Sequence, residues 1–177
     1  MQEAYTAAIE FAQGYSAVPW LLIFGPIGCG KTHLAYAVAN EMAQHGWKVK
    51  MWVVPDLLDA IRGTYQKENQ QEIIEEMVYE PEVLILDDLG SEKLSDWVAE
   101  KLFQVIDRRY REGRPLMVTT NENLDRLPDR LKSRFSDAQI CRVITTEAPD
   151  FRPKLPVPKP TLEPQEVRRS RKSKTRR

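Results

Sequence analysis

A chain of 177 residues with 42% hydrophobic content has the length of one domain and enough apolar material to close one core, with no room for a second. Lysine plus arginine and aspartate plus glutamate both total 26, but from Gln165 onward seven basic residues face one acid, Glu166. Residues 1–164 are left with 25 acids against 19 bases, so an acidic body carries a basic tail, which suggests either a polyanion-seeking appendage or an idle solvated one, and the zero net charge describes neither part.

Ala4, Ala7, Ala8, Phe11 and Ala12 recur at helical spacing, which predicts an amphipathic helix over 4–12 that Gly14 can end. After Pro19, residues 20–24 are unbroken apolar, as in a parallel strand covered on both faces. Next comes Gly25-Pro26-Ile27-Gly28-Cys29-Gly30-Lys31-Thr32, which reads G-x-x-x-x-G-K-T. The chemistry needs these residue types: glycines let backbone N–H groups curl around phosphate oxygens, Lys31 reaches the β/γ-phosphates, and the Thr32 hydroxyl can ligate Mg²⁺. The helix that starts at the loop turns its positive end toward the same anion. His33, next in line, belongs to the nucleotide-binding stretch but, like His45, is expected on the helix surface; Cys29 fills a loop position and is assigned no chemistry.

Leu34, Ala35, Val38, Ala39 and Met42 give that helix one apolar stripe, and Gly46 can cap it in a left-handed conformation. A strand over 49–54 follows, then a helix opened by Pro55-Asp56 with Leu57, Leu58 and Ile61 on one side. After Gly63 the chain turns polar through Lys67, Asn69 and Gln71. Helical spacing resumes at Ile73, Ile74, Met77 and Val78, and Pro81 breaks it. Residues 83–86 read as a third buried strand that ends in Asp87-Asp88-Leu89-Gly90. Ser95 can N-cap a helix carrying Trp97, Val98, Leu102, Val105, Ile106 and Arg109 as far as Gly113. A fourth strand over 116–120 runs into Asn121. Short helical segments around 124–127 and 129–135 and a last strand over 138–144 complete the body. Strands alternating with helices predict a three-layer α/β fold on a parallel five-stranded sheet, with ligands at the carboxyl ends of the strands. Beyond Pro149 five prolines fall between Pro153 and Pro164, so 154–177 reads as a proline-rich linker and a disordered basic tail.

The two cysteines, Cys29 and Cys141, are distant and outside any C-x-x-C pair, which suggests neither a disulfide framework nor a zinc site. The N-terminus lacks a basic region followed by an apolar run, and no window approaches the roughly eighteen apolar residues of a membrane span. A cytoplasmic protein without membrane contact is expected.

Asp87 closes its strand where a nucleoside triphosphatase keeps an acid near Mg²⁺, and Asp88 can polarise a water aimed at the γ-phosphate. Adjacent acids also commonly end a strand without further purpose, and aspartate at the second place has one methylene less reach than glutamate. Asn121 ends a neighbouring strand and can hold the γ-phosphate or the attacking water; asparagine also caps turns. Arg130 and Arg134 share a helix face, and neither has an acid four residues away. Residue types alone make that a solvated basic face.

The series GPIGCGKTHLA, WVVPDLLDAI, LILDDLGSEKLSDWVAEKLF, VTTN and RLKSRF resembles the AAA+ ATPases of the DnaC/DnaI-type helicase loaders and their IstB-type transposition relatives, over about residues 18 to 153. The resemblance assigns residues 25–32 to Walker A, Asp87 and Asp88 to Walker B, and Asn121 to sensor 1. It makes Arg134 a trans arginine finger with Arg130 beside it, and Arg152, in P-D-F-R, a sensor 2. No helical lid is expected after the sheet. The domain division implied is 1–153 for the ATPase and 154–177 for the tail.

The implied activity is ATP hydrolysis with Mg²⁺ by a homo-oligomer joined through its ATP site, assembled on single-stranded DNA and serving a replicative helicase. The alternatives are a transposase as partner, or a nucleotide-gated adaptor with little hydrolysis. Arg62 and Lys67 fall where the family's DNA-contacting element is expected. The resembling loaders dock on the helicase through an N-terminal segment, and only residues 1–19 precede the first strand here, so the usual docking is not expected; a trimmed chain, a phage or mobile-element variant, and a loader that uses its basic tail for partner contact are the readings left open.

Overall fold

The computed structural model describes residues 1–65, 67–91 and 95–152. The expected linker and basic tail, 154–177, and part of the S-E-K-L motif lie outside the described residues. Five strands, β1 (Trp20–Phe24), β2 (Val49–Val53), β3 (Val83–Leu89), β4 (Leu116–Thr120) and β5 (Cys141–Thr145), form one sheet in the order β2-β3-β4-β1-β5. Every pairing is parallel. Each crossover therefore passes over a face of the sheet, and all five strands deliver their carboxyl ends to one edge.

Alternation along the strands separates two cores. Trp20 and Leu22 of β1, Leu84 and Leu86 of β3, and Leu116 and Val118 of β4 face one side. There α3 (Val54–Gly63), α5 (Asp96–Glu112) and α6 (Asp129–Phe135) supply Leu57, Ile61, Leu102, Ile106, Leu131 and Phe135. Leu21 and Ile23, Val83 and Ile85, and Met117 face the other side. Against them lie α1 (Gln2–Ala12) and α2 (Lys31–Gln44) through Ala4, Ala8, Phe11, Ala35, Val38 and Met42. The three layers expected from the strand and helix alternation are thus present. The whole alanine and phenylalanine stripe of α1 is buried, and among the described residues no helical lid follows β5.

Ser95 caps α5 by accepting from the Val98 N–H at 3.3 Å, and Gly113 ends it in the left-handed region at φ 62°. Several boundaries differ from the expectation, three of them for a clear local reason. β2 stops at Val53 because Val54 already begins α3, with Pro55 in its first turn where the missing N–H costs nothing. The stretch after Lys67 splits into α4 (Gln70–Ile74) and a π-helical turn (Glu75–Tyr79), in which Glu80 N–H reaches back to Glu75 O at 2.8 Å. The last strand begins at Cys141 and not at 138. Asp137 makes a turn there: its side chain accepts from Gln139 N–H at 3.0 Å, and its carbonyl accepts from Ile140 and Cys141.

Arg109, read as one more member of the α5 stripe, is fully buried. Its guanidinium donates to the carbonyls of Val78, Pro81, Glu82 and Pro115 at 2.7 to 3.2 Å, which fastens the segments leading into β3 and β4. Burial pulls its pKa down to about 10. Among the described residues, no helix is long and apolar enough to cross a membrane.

Candidate functional site

At the carboxyl edge of the sheet, residues 25–30 join β1 to α2 as a loop that only glycine can form at two places. Gly28 has φ 75° and Gly30 φ 99°, both left-handed. Gly30 caps α2, whose first turn contains no acid, so no carboxylate of the helix itself offsets the positive end that faces the loop. Space is also tight at Gly25, where a Cβ would meet the Thr146 methyl at 2.5 Å, and at Gly28, where it would meet the Asp150 carboxylate at 1.8 Å. Residues 146–152 cause both contacts as they run back over the loop. Thr146 N–H donates to Phe24 O at 2.8 Å and Phe151 N–H to Gly28 O at 3.1 Å.

Lys31 is buried, and its ammonium donates to Gly25 O, Pro26 O and Asn121 Oδ1 at 2.7 to 2.8 Å. Cys29 Sγ lies 3.6 Å away beneath it. These oxygens occupy the donor directions that phosphate oxygens would take. Asn121 bridges the two halves of the site: its Oδ1 holds Lys31, while its Nδ2 donates to Asp88 Oδ1 at 2.6 Å.

Asp87 and Asp88 are consecutive, so in a regular strand they would point to opposite faces. β3 breaks that rule with a bulge. Leu86 pairs with Val118 and Leu89 with Thr120, which leaves two acids opposite Thr119 alone, with Asp88 in the left-handed region at φ 61°. Asp87 Oδ1 accepts from Thr119 Oγ1 at 2.5 Å and from Thr32 Oγ1 at 3.2 Å. A hydroxyl and a carboxylate this close are hard oxygen donors suited to Mg²⁺, which typically takes one or two carboxylates and fills its remaining positions with phosphate and water. Among the described residues, no group of three His, Cys, Asp or Glu side chains that could hold a metal ion occurs.

One cavity of about 430 Å³ collects Ile27, Gly28, Gly30, Lys31, Thr32, His33, Asp87, Asp88, Asn121 and Arg152, all expected from sequence, together with Val53 and Thr119, which were not. His33 is exposed on α2 and turns toward this cavity. Gly25, Pro26 and Cys29 complete the loop around the lysine without lining the cavity. Thr119 could have been found by register: it is the β4 residue opposite the acids.

Arg134 does not line the cavity of its own chain. The expected solvated basic face holds for Arg130, which stays exposed, and is corrected for Arg134, which is partly buried; both arginines find acids on α5 and not on their own helix. Arg134 donates twice to Asp107 Oδ1, at 2.8 and 3.0 Å, and Arg130 lies 3.9 Å from Glu100. Spacing along one helix carries no information about acids on a neighbouring helix. Arg62 pairs with Asp59 at 2.6 Å and covers the Trp97 ring at 4.5 Å; Lys67 is exposed.

A family model described as IstB-like ATP binding protein matches residues 7–146. The chain belongs to that family. The IstB-like chain is 38% identical over 103 residues to an insertion sequence IS5376 putative ATP-binding protein of Geobacillus stearothermophilus, covering 58% of this chain and 40% of the relative. It is 30% identical over 120 residues to the replicative helicase loader DnaI of Bacillus subtilis, covering 67% and 37%. The chain thus spans less than half the length of these curated relatives. Its fold is similar to a crystal structure of the DnaC helicase loader, with TM-score 0.70 and 26% identity over 81% of this chain and 89% of that one. Domain III of the Thermotoga maritima replication initiation protein DnaA superimposes with TM-score 0.74 at 25% identity, covering 84% and 63%. The protein is an ATP-binding AAA+ protein of the IstB and DnaC type, with a three-layer P-loop fold.

Proposed function

We propose that this IstB-like protein hydrolyses ATP at a site completed by a neighbouring subunit, assembles on single-stranded DNA, and in that state helps load a replicative helicase. The observation that carries the catalytic part is the bonded series Lys31–Asn121–Asp88 lying beside Thr32–Asp87–Thr119 in one cavity. The amides of residues 27–32 cradle the phosphates, and Lys31 exchanges the carbonyls of Gly25 and Pro26 for β- and γ-phosphate oxygens. Thr32 and Asp87 would hold Mg²⁺, which when bound supplies charge neutralisation at the phosphates. Asp88, turned into the cavity by the bulge, orients the attacking water, and Asn121 holds it in place. Arg152 sits at the rim of the same cavity, where it can meet a phosphate. Beyond Lys31 and Arg152, Arg134 of an adjacent copy supplies a further cation to the γ-phosphate.

Arg134→Ala is the experiment. It should abolish turnover and leave nucleotide affinity, measured with a fluorescent ATP analogue, within about threefold of the parent, since only the interaction made in the transition state is removed. A variant that hydrolyses ATP as fast as the parent would sink the trans finger.

A second reading, a transposition helper that delivers a transposase to target DNA, is favoured by one observation: the insertion-sequence relative is more similar, at 38% identity, than the helicase loader at 30%. Stable ATP-dependent binding to duplex DNA, with none to a replicative helicase, would select it.

A further inference from the structure

Asp107, Phe103 and Tyr110 fall at helical spacing on the face of α5 that meets α6, and together they enclose one side chain, Arg134. Asp107 Oδ1 accepts from both Nε and Nη2 of that guanidinium, at 3.0 and 2.8 Å. The cation lies 4.6 Å from the Tyr110 ring centroid and 5.9 Å from that of Phe103. Tyr110 cannot swing away, because its hydroxyl donates to Asp137 Oδ2 at 2.6 Å. The other oxygen of Asp107 accepts from Arg111 Nε at 3.0 Å. Two guanidiniums therefore share one carboxylate, and the cluster keeps a net positive charge. Nη1 of Arg134 has no partner among the described residues, so the guanidinium is held by one edge and leaves the other to bond elsewhere.

We propose that Asp107 is a positioning residue that holds the Arg134 guanidinium, edge out, in the orientation in which it enters the ATP site of the neighbouring subunit. This rests on the shared-site reading above. An arginine on an open surface must give up its rotamer freedom on each encounter with a phosphate, whereas one already fixed by a carboxylate and two rings has done so during folding. The aspartate does not cancel the charge, since Arg111 compensates it, and its contribution is to orientation.

Mixed full-length chains test this. A Lys31→Ala chain keeps the finger but lacks the phosphate contact, and an Arg134→Ala chain keeps the loop but lacks the finger; their mixture should regain ATPase activity that neither has alone. With Lys31→Ala/Asp107→Ala as finger donor, the regained kcat should fall by about tenfold while KM for ATP stays within about twofold, because the loop reading the nucleotide is untouched. Asp107→Leu, close in volume, should act likewise and serves if the alanine variant folds poorly. Asp107→Asn keeps an oxygen acceptor for Arg134 and should restore the rate to within about threefold of the Lys31→Ala donor. Recovery with the Asp107→Ala and Asp107→Leu donors equal to or above that with the Lys31→Ala donor would overturn the proposal, a rise meaning that Asp107 restrains the finger. If the Lys31→Ala and Arg134→Ala mixture itself regains nothing, the shared site fails first and Asp107 falls with it.

Discussion

The Thr119 hydroxyl donates to Asp87 Oδ1 at 2.5 Å, so a neutral β4 side chain, and not a second charge, holds the acid that closes β3. Thr119 Oγ1 in turn accepts the Asp88 N–H at 3.0 Å, which braces the left-handed residue of the bulge. Thr119→Val keeps the shape and removes both bonds. It should lower turnover by about tenfold and cost ~1–3 kcal/mol, the usual range for leaving a buried donor or acceptor unsatisfied. Steady-state ATPase rates and thermal melts check it, and an unchanged rate would mean that Asp87 needs no brace.

Asn121 touches both Lys31 and Asp88. Asn121→Ala should therefore reduce kcat by about a hundredfold, as loss of one preorganised polar group in an active site commonly does, while ATP affinity changes by less than about threefold. Loss of affinity with kcat preserved would place its role in binding the ground state.

Gly28 combines φ 75° with the Asp150 carboxylate at the place a Cβ would occupy. Gly28→Ala carries a left-handed strain of ~1–2 kcal/mol beyond the clash. Nucleotide affinity should fall, and a second change, Asp150→Ala, should relieve the clash but leave the strain, so that binding stays impaired. Full recovery in the double variant, measured by titration with the fluorescent analogue, would show that only the clash matters.

Arg109→Met leaves the carbonyls of Val78, Pro81, Glu82 and Pro115 buried without their donor. Destabilisation of ~3 kcal/mol or more should result, a fall in melting temperature of about 6–12 °C for a chain of this size. A melt within about 2 °C of the parent would mean that water replaces the guanidinium.

Burial pushes the Cys141 thiol from its ordinary value of 9.0 up to about 12. The folded state therefore keeps this proton longer than the unfolded one does. Its contribution to stability is intact below pH 9 and is lost as pH rises toward 12. Iodoacetamide under mildly alkaline conditions should label Cys141 only after unfolding, and labelling of the native chain, read by peptide mass, would contradict its burial.

The sheet was legible because parallel strands buried on both faces are short apolar runs, and β1 and β4 match the predicted spans at both ends. The phosphate loop was legible because its glycines and lysine serve local geometry. What escaped was produced by pairing between strands or helices. Thr119 matters only because a bulge aims two consecutive acids at it, and Asp107 only because α5 packs on α6. β5 begins later than apolar Ala138 and Ile140 suggest, because Asp137 spends its side chain and carbonyl on a turn.

The shared ATP site is tested most directly by ATPase rate against protein concentration, with and without single-stranded DNA. Because Arg134 does not reach the cavity of its own chain, the rate should rise faster than linearly with protein, and DNA should shift that rise to lower concentration. A rate strictly proportional to protein concentration and indifferent to DNA would show that one chain hydrolyses ATP alone, and the account of a divided site would be wrong.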